Sequence, residues 1–351
     1  MSMSPQALIK NGVLENADLH DAKLAGANFS GIQFRAVDLR GADLSNADLT
    51  QAQFEGCDLS GAMLEGSQLA GAVFKAVKLE NARLLGATAL TAQFFQCDLT
   101  GVVAQNADFS ASLFETCKLD NADFSAATLH NARMGPCSLN GTAFKGAKLS
   151  RWMVLESDLS TAVFADNDLT QAMLMKANLA GQRFPGCDLT LALLVETNLQ
   201  GADFSGMDLS RVQFSKAVLK GANLSGVKAV ATSFALADLS AAKLSDSEFD
   251  TCDFSLAVLD QVDATRVRVK VTPFSRAKAR RSVWDGATLE LCDLSHAVVD
   301  EASFRNSEFR ICNLHELSEE KTIWDGVAFN DTFRTDPVRA KAENWAPPPA
   351  P

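Results

Sequence analysis

The sequence predicts an all-β solenoid, a coil of short stacked strands, and three observations predict it. Leu or Phe recurs every fifth residue, a small side chain sits two positions before each of them, and residues twenty apart resemble one another. Repeats of 20–50 residues mark solenoids, so the period decides the fold before any local propensity does. Starting at Leu14, Leu19, Leu24 and Phe29, the five-residue step continues without insertion or deletion to Phe329. It spans sixty-four pentads, and fifty-two of their centres are Leu or Phe. The other centres are Ala89, Ala104, Ala229, Ala264, Ala279, Met134, Val154, Val269, Val299, Trp284, Trp324 and Glu319, the last being the only charged one.

A period of five fits neither the 3.6 of a helix nor the 2 of a strand. Two inward positions in every five describe one short side of a polygonal coil, and four such sides close a twenty-residue turn. The sequence tests this internally. Leu occupies position 19 and every twentieth residue through Leu259, while Phe34, Phe54, Phe74, Phe94 and Phe114 form a second column. A third column is Phe124, Phe144, Phe164, Phe184 and Phe204. Like-with-like stacking of this kind is what close packing in a narrow interior demands. About 16 turns at the ~4.8 Å spacing of neighbouring strands give an expected length of roughly 75 Å.

The segments Asn16-Ala17-Asp18-Leu19, Gly41-Ala42-Asp43-Leu44, Asn46-Ala47-Asp48-Leu49 and Gly201-Ala202-Asp203-Phe204 carry the motif A(D/N)LXX. On these residues the chain resembles the pentapeptide repeat family over residues 12–330. The resemblance implies a right-handed quadrilateral β-helix with the central and minus-two residues inward and the other three facing solvent. The expected organisation is an N-terminal cap at 1–11, the β-helix at 12–330, and a short helix with a Pro-rich tail at 331–351. Ser4-Pro5 and Asp336-Pro337 each read as an N-cap followed by proline in the first helical turn. The stretch from Glu316 to Lys321 interrupts the apolar pattern and is expected to bulge.

Composition excludes several functions. No run of 18 apolar residues exists, so no transmembrane helix is expected. The N-terminus lacks a basic region followed by an apolar run, so no secretory signal is expected, and the expected location is cytoplasmic. Net charge is −11, with 43 acidic against 32 basic side chains, the wrong sign for a general nucleic-acid surface. All eight cysteines, Cys57, Cys97, Cys117, Cys137, Cys187, Cys252, Cys292 and Cys312, fall at the inward minus-two position, where a thiol replaces Ala. No CxxC pair exists, so neither a disulfide framework nor a metal site is expected. His20, His130, His296 and His315 follow centres and are expected in solvent. No nucleophile–base pairing or phosphate loop is visible, and neither an enzyme nor a cofactor is expected.

Three features rise above the repeat. Met153, Leu155, Met173, Met175, Leu193 and Val195 flank three centres spaced by twenty, with Leu191 alongside, and are expected to form an exposed apolar patch. Exposed patches of this kind mark contact sites. Fitting Trp152 where the repeat holds Ala offers a second origin for the patch, a local distortion. Arg266, Arg268, Lys270, Arg276, Lys278, Arg280 and Arg281 place seven positive charges in 264–281 without an acid. They form a candidate basic docking band, or a solvated face that moderates self-repulsion in an otherwise acidic chain. Trp345 is a candidate anchor for a cap or a partner.

The resulting expectation is a scaffold or adaptor with a protein partner or a second copy of itself, and no membrane partner. At family level, a place beside bacterial secretion machinery fits this role. The alternative that the resemblance implies is an acidic mimic of duplex DNA that binds a type II topoisomerase. The chain's greater length and its basic band count against that alternative.

Overall fold

The computed structural model describes residues 9–345. The chain is a parallel β-solenoid in two compact units, Met1–Leu193 and Leu194–Pro351. In the first, nine strands stack in sequence order: β1 (Val13–Glu15), β2 (Gln33–Arg35), β3 (Gln53–Glu55), β4 (Val73–Lys75), β5 (Gln93–Phe95), β6 (Leu113–Glu115), β7 (Arg133–Met134), β8 (Met153–Leu155) and β9 (Met173–Met175). In the second, six do so: β10 (Lys228–Val230), β11 (Glu248–Asp250), β12 (Arg268–Lys270), β13 (Thr288–Glu290), β14 (Glu308–Arg310) and β15 (Ala328–Asn330). Every pairing in both sheets has a register of twenty, as in Phe34↔Phe54 and Phe249↔Val269. Other sides of the coil carry the same ladder as single bridges, among them Asp18↔Asp38, Lys23↔Asp43 and Asn28↔Asp48. The twenty-residue turn read from the sequence is the turn of the fold.

The motif has a physical reason at each of its positions. Leu19 O accepts from Ala22 N at 3.1 Å, closing a corner whose third residue, Asp21, has φ 55°. This is the pattern of a type II turn, which needs a left-handed residue there. The residue before the centre caps the same corner: Asp18 Oδ1 accepts from His20 N at 3.1 Å and Asp48 Oδ1 from Thr50 N at 3.0 Å. Asp and Asn are therefore preferred because their short side chains satisfy a corner amide. Asp168 and Asp188, neighbours across adjacent turns, accept from Thr170 N and Thr190 N respectively, so each carboxylate caps a corner of its own turn.

The left-handed corner position tolerates Gly, Asn and Asp, yet this chain also places Val271 (φ 48°) and Ile311 (φ 53°) there. A β-branched side chain in that region costs about 1–2 kcal/mol. Val271 is 42% exposed and gives up little by replacement. Val271→Asn is expected to raise stability by about 1 kcal/mol, read as a higher thermal midpoint. A lower midpoint would show that the valine contributes packing that outweighs its backbone strain.

The interior is a set of aromatic and aliphatic columns. Phe34, Phe54, Phe74, Phe94 and Phe114 lie face to face at 4.5–4.8 Å. Phe124, Phe144, Phe164 and Phe184 continue at 5.6–5.8 Å. Trp152 is buried beside Phe144 at 5.1 Å, so the large ring is accommodated inside and is not turned out. The cysteines do more than fill Ala sites. Seven are buried, and their thiols reach the carbonyl of the residue twenty-three earlier, as in Cys57 Sγ to Phe34 O at 3.4 Å and Cys117 Sγ to Phe94 O at 3.3 Å. Thr142, Thr232 and Ser247 make the same bond with hydroxyls. Burial pushes the Cys252 thiol up to about 11, which keeps it protonated and unreactive. Cys187 is half-buried, less enclosed than its position predicts.

Ser4-Pro5 and the Pro-rich end beyond Trp345 lie outside the described residues. Asp336-Pro337 does open a helix, α1 (Pro337–Glu343), with Asp336 Oδ1 accepting from Val338 N at 2.8 Å and Arg339 N at 3.2 Å. Residues 316–321 do not bulge. Val298↔Ser318 and Ser303↔Ile323 keep the register of twenty, and Glu319, at an exposed centre, is paired with Arg334 at 2.8 Å.

Candidate interaction surface

The first unit carries an open groove of about 770 Å³ between two columns of outward side chains. One wall is the corner column Thr91, Ala111, Asn131, Arg151, Gln171 and Leu191, all with left-handed φ of 55–62°. The other is the first residue of successive strands, Gln93, Leu113, Arg133, Met153 and Met173, followed by Leu193. Short side chains at Thr91 and Ala111 leave room beside long ones at Leu113 and Arg133, and the space runs along the stack.

The predicted patch divides on this geometry. Met153, Met173, Leu191 and Leu193 line the groove, with Leu191 40% exposed. Leu155 and Met175, 43% and 40% exposed, stand at the other end of their strands and are not in the lining. Val195 falls in the second unit, half-buried. The predicted patch begins at Met153, whereas the groove continues three turns further, through Arg133 and Leu113 to Gln93. The apolar stretch follows from residue type, whereas the groove's volume comes from the short corner residues Thr91 and Ala111.

Two buried polar atoms, Ser112 Oγ and Trp152 Nε1, the latter one position before Met153, have no hydrogen-bond partner among the described residues. At β7 the local ladder also changes. Pro136 occupies the corner held by left-handed residues one turn away on either side, Thr116 and Glu156. Proline cannot take that φ or donate an amide, and β7 is a residue shorter than its neighbours.

All seven residues of the basic band are exposed, and five of them are paired with acids one turn away. Arg266 meets Asp246 at 2.6 Å, Arg281 meets Glu301 at 3.0 Å, Lys270 meets Glu290 at 3.5 Å and Arg280 meets Asp260 at 3.9 Å, while Arg268 pairs with Glu248. Only Arg276 and Lys278 have no carboxylate partner among the described residues. The band therefore presents far less free charge than its sequence count of seven.

His315 contradicts the sequence expectation. It is 2% exposed because α1 lies over it, a contact between residues 28 apart that the repeat does not encode. Glu343 Oε2 lies 3.1 Å from the Nε2 of both His315 and His296, and Arg339 Nε donates to Glu343 Oε1 at 2.7 Å. His296 is also partly covered, while His20 stays exposed and His130 bonds Ser150 at 2.8 Å. Two imidazoles and a carboxylate have the composition of a zinc site. The hydrogen bonding argues otherwise. Asp336 N donates to His315 Nδ1 at 3.1 Å, so the neutral ring carries its proton on Nε2, the atom a metal would need. Metal-ligating histidines instead donate from the other nitrogen. The trio is a hydrogen-bonded latch for α1. Trp345 itself is 69% exposed at the end of that helix, beside exposed Val338.

Among the described residues no helix is long and apolar enough to cross a membrane. The ladder, the five-residue motif and the outward-facing groove together define a repeat solenoid whose variable content lies on its surface. The chain belongs to the pentapeptide repeat family: the pentapeptide repeats model matches 13–51, 52–88, 174–211, 187–226 and 274–310, and the pentapeptide repeat region model matches 87–164. A search of the curated proteins found no match. Similar solved structures include a pentapeptide repeat protein of the Arabidopsis thaliana thylakoid lumen, 29% identical, covering 28% of this chain and 70% of that one with a TM-score of 0.28. QnrB1, a plasmid-mediated fluoroquinolone resistance protein, is 18% identical over 68% of this chain and 89% of its own, with a TM-score of 0.25. HetL of Nostoc sp. strain PCC 7120, involved in heterocyst differentiation regulation, is 20% identical over 90% and 92%, with a TM-score of 0.13.

Proposed function

We propose that this chain is a non-enzymatic scaffold in the cytoplasm that binds a protein partner through the groove of its first unit. The observation that carries the reading is the apolar end of that groove. Met153, Met173, Leu191 and Leu193 place four adjoining large apolar side chains on outward positions of three successive turns. Burying such side chains against a partner contributes roughly 25 cal/mol per Å², and methionine adapts to varied shapes. The acidic surface is less telling, because many aspartates before the centres cap corners of their own turns, which weakens the case for DNA mimicry.

Met173→Glu combined with Leu193→Glu tests the reading. The partner or second copy recovered with the native chain, measured by pull-down and light scattering, is expected to be lost while the thermal midpoint holds. Unchanged assembly in a folded variant would remove the groove from consideration.

A further inference from the structure

The docking groove has a charge that the rest of the chain does not share. Its lining contains Arg133 and Arg151 and no Asp or Glu, in a chain of net charge −11. Arg151 Nε donates to the neutral Gln171 Oε1 at 2.7 Å, and neither arginine meets a carboxylate among the described residues. This contrasts with the basic band of the second unit, where five of seven cations are paired. Arg133 stands on the strand wall and Arg151 on the corner wall, so the two face the same channel from opposite sides. The apolar residues Met173, Leu191 and Leu193 lie further along it.

From this arrangement, resting on the docking reading above, we propose that the groove takes an extended peptide segment of a partner protein, acidic at one end and apolar at the other. Its carboxylates lie between Arg133 and Arg151, and its apolar side chains lie over Met173, Leu191 and Leu193. Six turns at ~4.8 Å make the groove about 24 Å long, which at ~3.3 Å per residue holds about seven extended residues. A carboxylate suits the guanidinium fork, and the neighbouring apolar walls lower the dielectric around the pair. In a chain of net charge −11, two arginines without a carboxylate partner favour this place for an acidic segment, so the charge sets the position as well as the affinity.

The test is fluorescence anisotropy with two labelled eight-residue peptides, one carrying two aspartates at one end and three leucines at the other, the second with lysines replacing the aspartates. The aspartate peptide is expected to bind the full chain about tenfold more tightly. Arg133→Glu with Arg151→Glu, both on outward positions, is expected to reverse that preference. Equal binding of the two peptides, or a preference that survives in the folded variant, would overturn the proposal. Arginine-dependent capture of a short DNA duplex or of anionic phospholipid vesicles, without the peptide, would overturn it in favour of a phosphate ligand. If Met173→Glu with Leu193→Glu abolishes native assembly while the arginine variant keeps it, the docking reading stands and the acidic occupant falls.

Discussion

Phe74→Ala is expected to destabilise the first unit by about 3–5 kcal/mol, the range for removing a buried aromatic ring from a close-packed interior. The ring is buried and sandwiched at 4.8 Å from Phe54 on one side and 4.8 Å from Phe94 on the other, nearly parallel to both. Its removal therefore deletes two stacked contacts as well as the burial. The cavity cannot collapse, because Leu79 and Ala72 are fixed by ladder bonds to the turns above and below, such as Leu79 N to Asp98 O at 2.7 Å. In a solenoid each turn contacts only its neighbours, so the damage should be local before it is global. Amide exchange is expected to quicken first in β3, β4 and β5, with a lowered thermal midpoint. A loss below about 1 kcal/mol would show that the stack is not a principal source of stability.

His315→Ala is expected to free α1 while leaving the solenoid melting almost unchanged. The helix has seven residues, none of them buried, and a helix of that length is marginal in water. Its main holds are Glu343 on His315 and His296, the Asp336 amide on His315 Nδ1, and Glu316 N on Thr335 Oγ1 at 3.1 Å. One substitution removes two of these and leaves the cap at Asp336 without its anchor. Acid should act on the same latch. The Arg339 guanidinium first, and then His315, hold the Glu343 carboxyl below the ordinary glutamate value. A depressed carboxylate stabilises the docked form above the unfolded value, and that contribution is lost as pH falls through the folded one. Exchange protection over 338–343 is expected to vanish in the variant at neutral pH and in the native chain only under acid. Retained protection in the variant would show that the helix is held by something other than His315.

The columns were legible in the sequence because a narrow interior leaves no freedom. Each centre faces one turn above and one below, so the choice of Leu19, Leu39 and Leu59 or of Phe34, Phe54 and Phe74 is written at a fixed interval. What was not legible comes from contacts that break the interval. His315 follows a centre, a position the repeat turns to solvent, and its burial is imposed by Glu343 on a helix outside the repeat. The basic band looked free because its acids, Asp246, Glu248, Asp260, Glu290 and Glu301, lie one turn away rather than beside it in sequence. The groove was half legible: Met153, Met173 and Leu193 announced themselves by type, while Arg133 and Arg151 lay outside the predicted patch.

The register of twenty also sets what kinds of length change this chain can absorb. Duplicating a block of twenty residues adds one layer and returns every later side chain to the side it occupied before. Inserting a single pentad keeps the alternation of inward and outward positions, so the interior still closes. It nevertheless moves all later residues to the next side of the coil, and Met153, Met173 and Leu193 would part from Leu113 and Arg133. Surface function on such a scaffold is thus protected against whole-turn gains and erased by quarter-turn ones, even where the core accepts both.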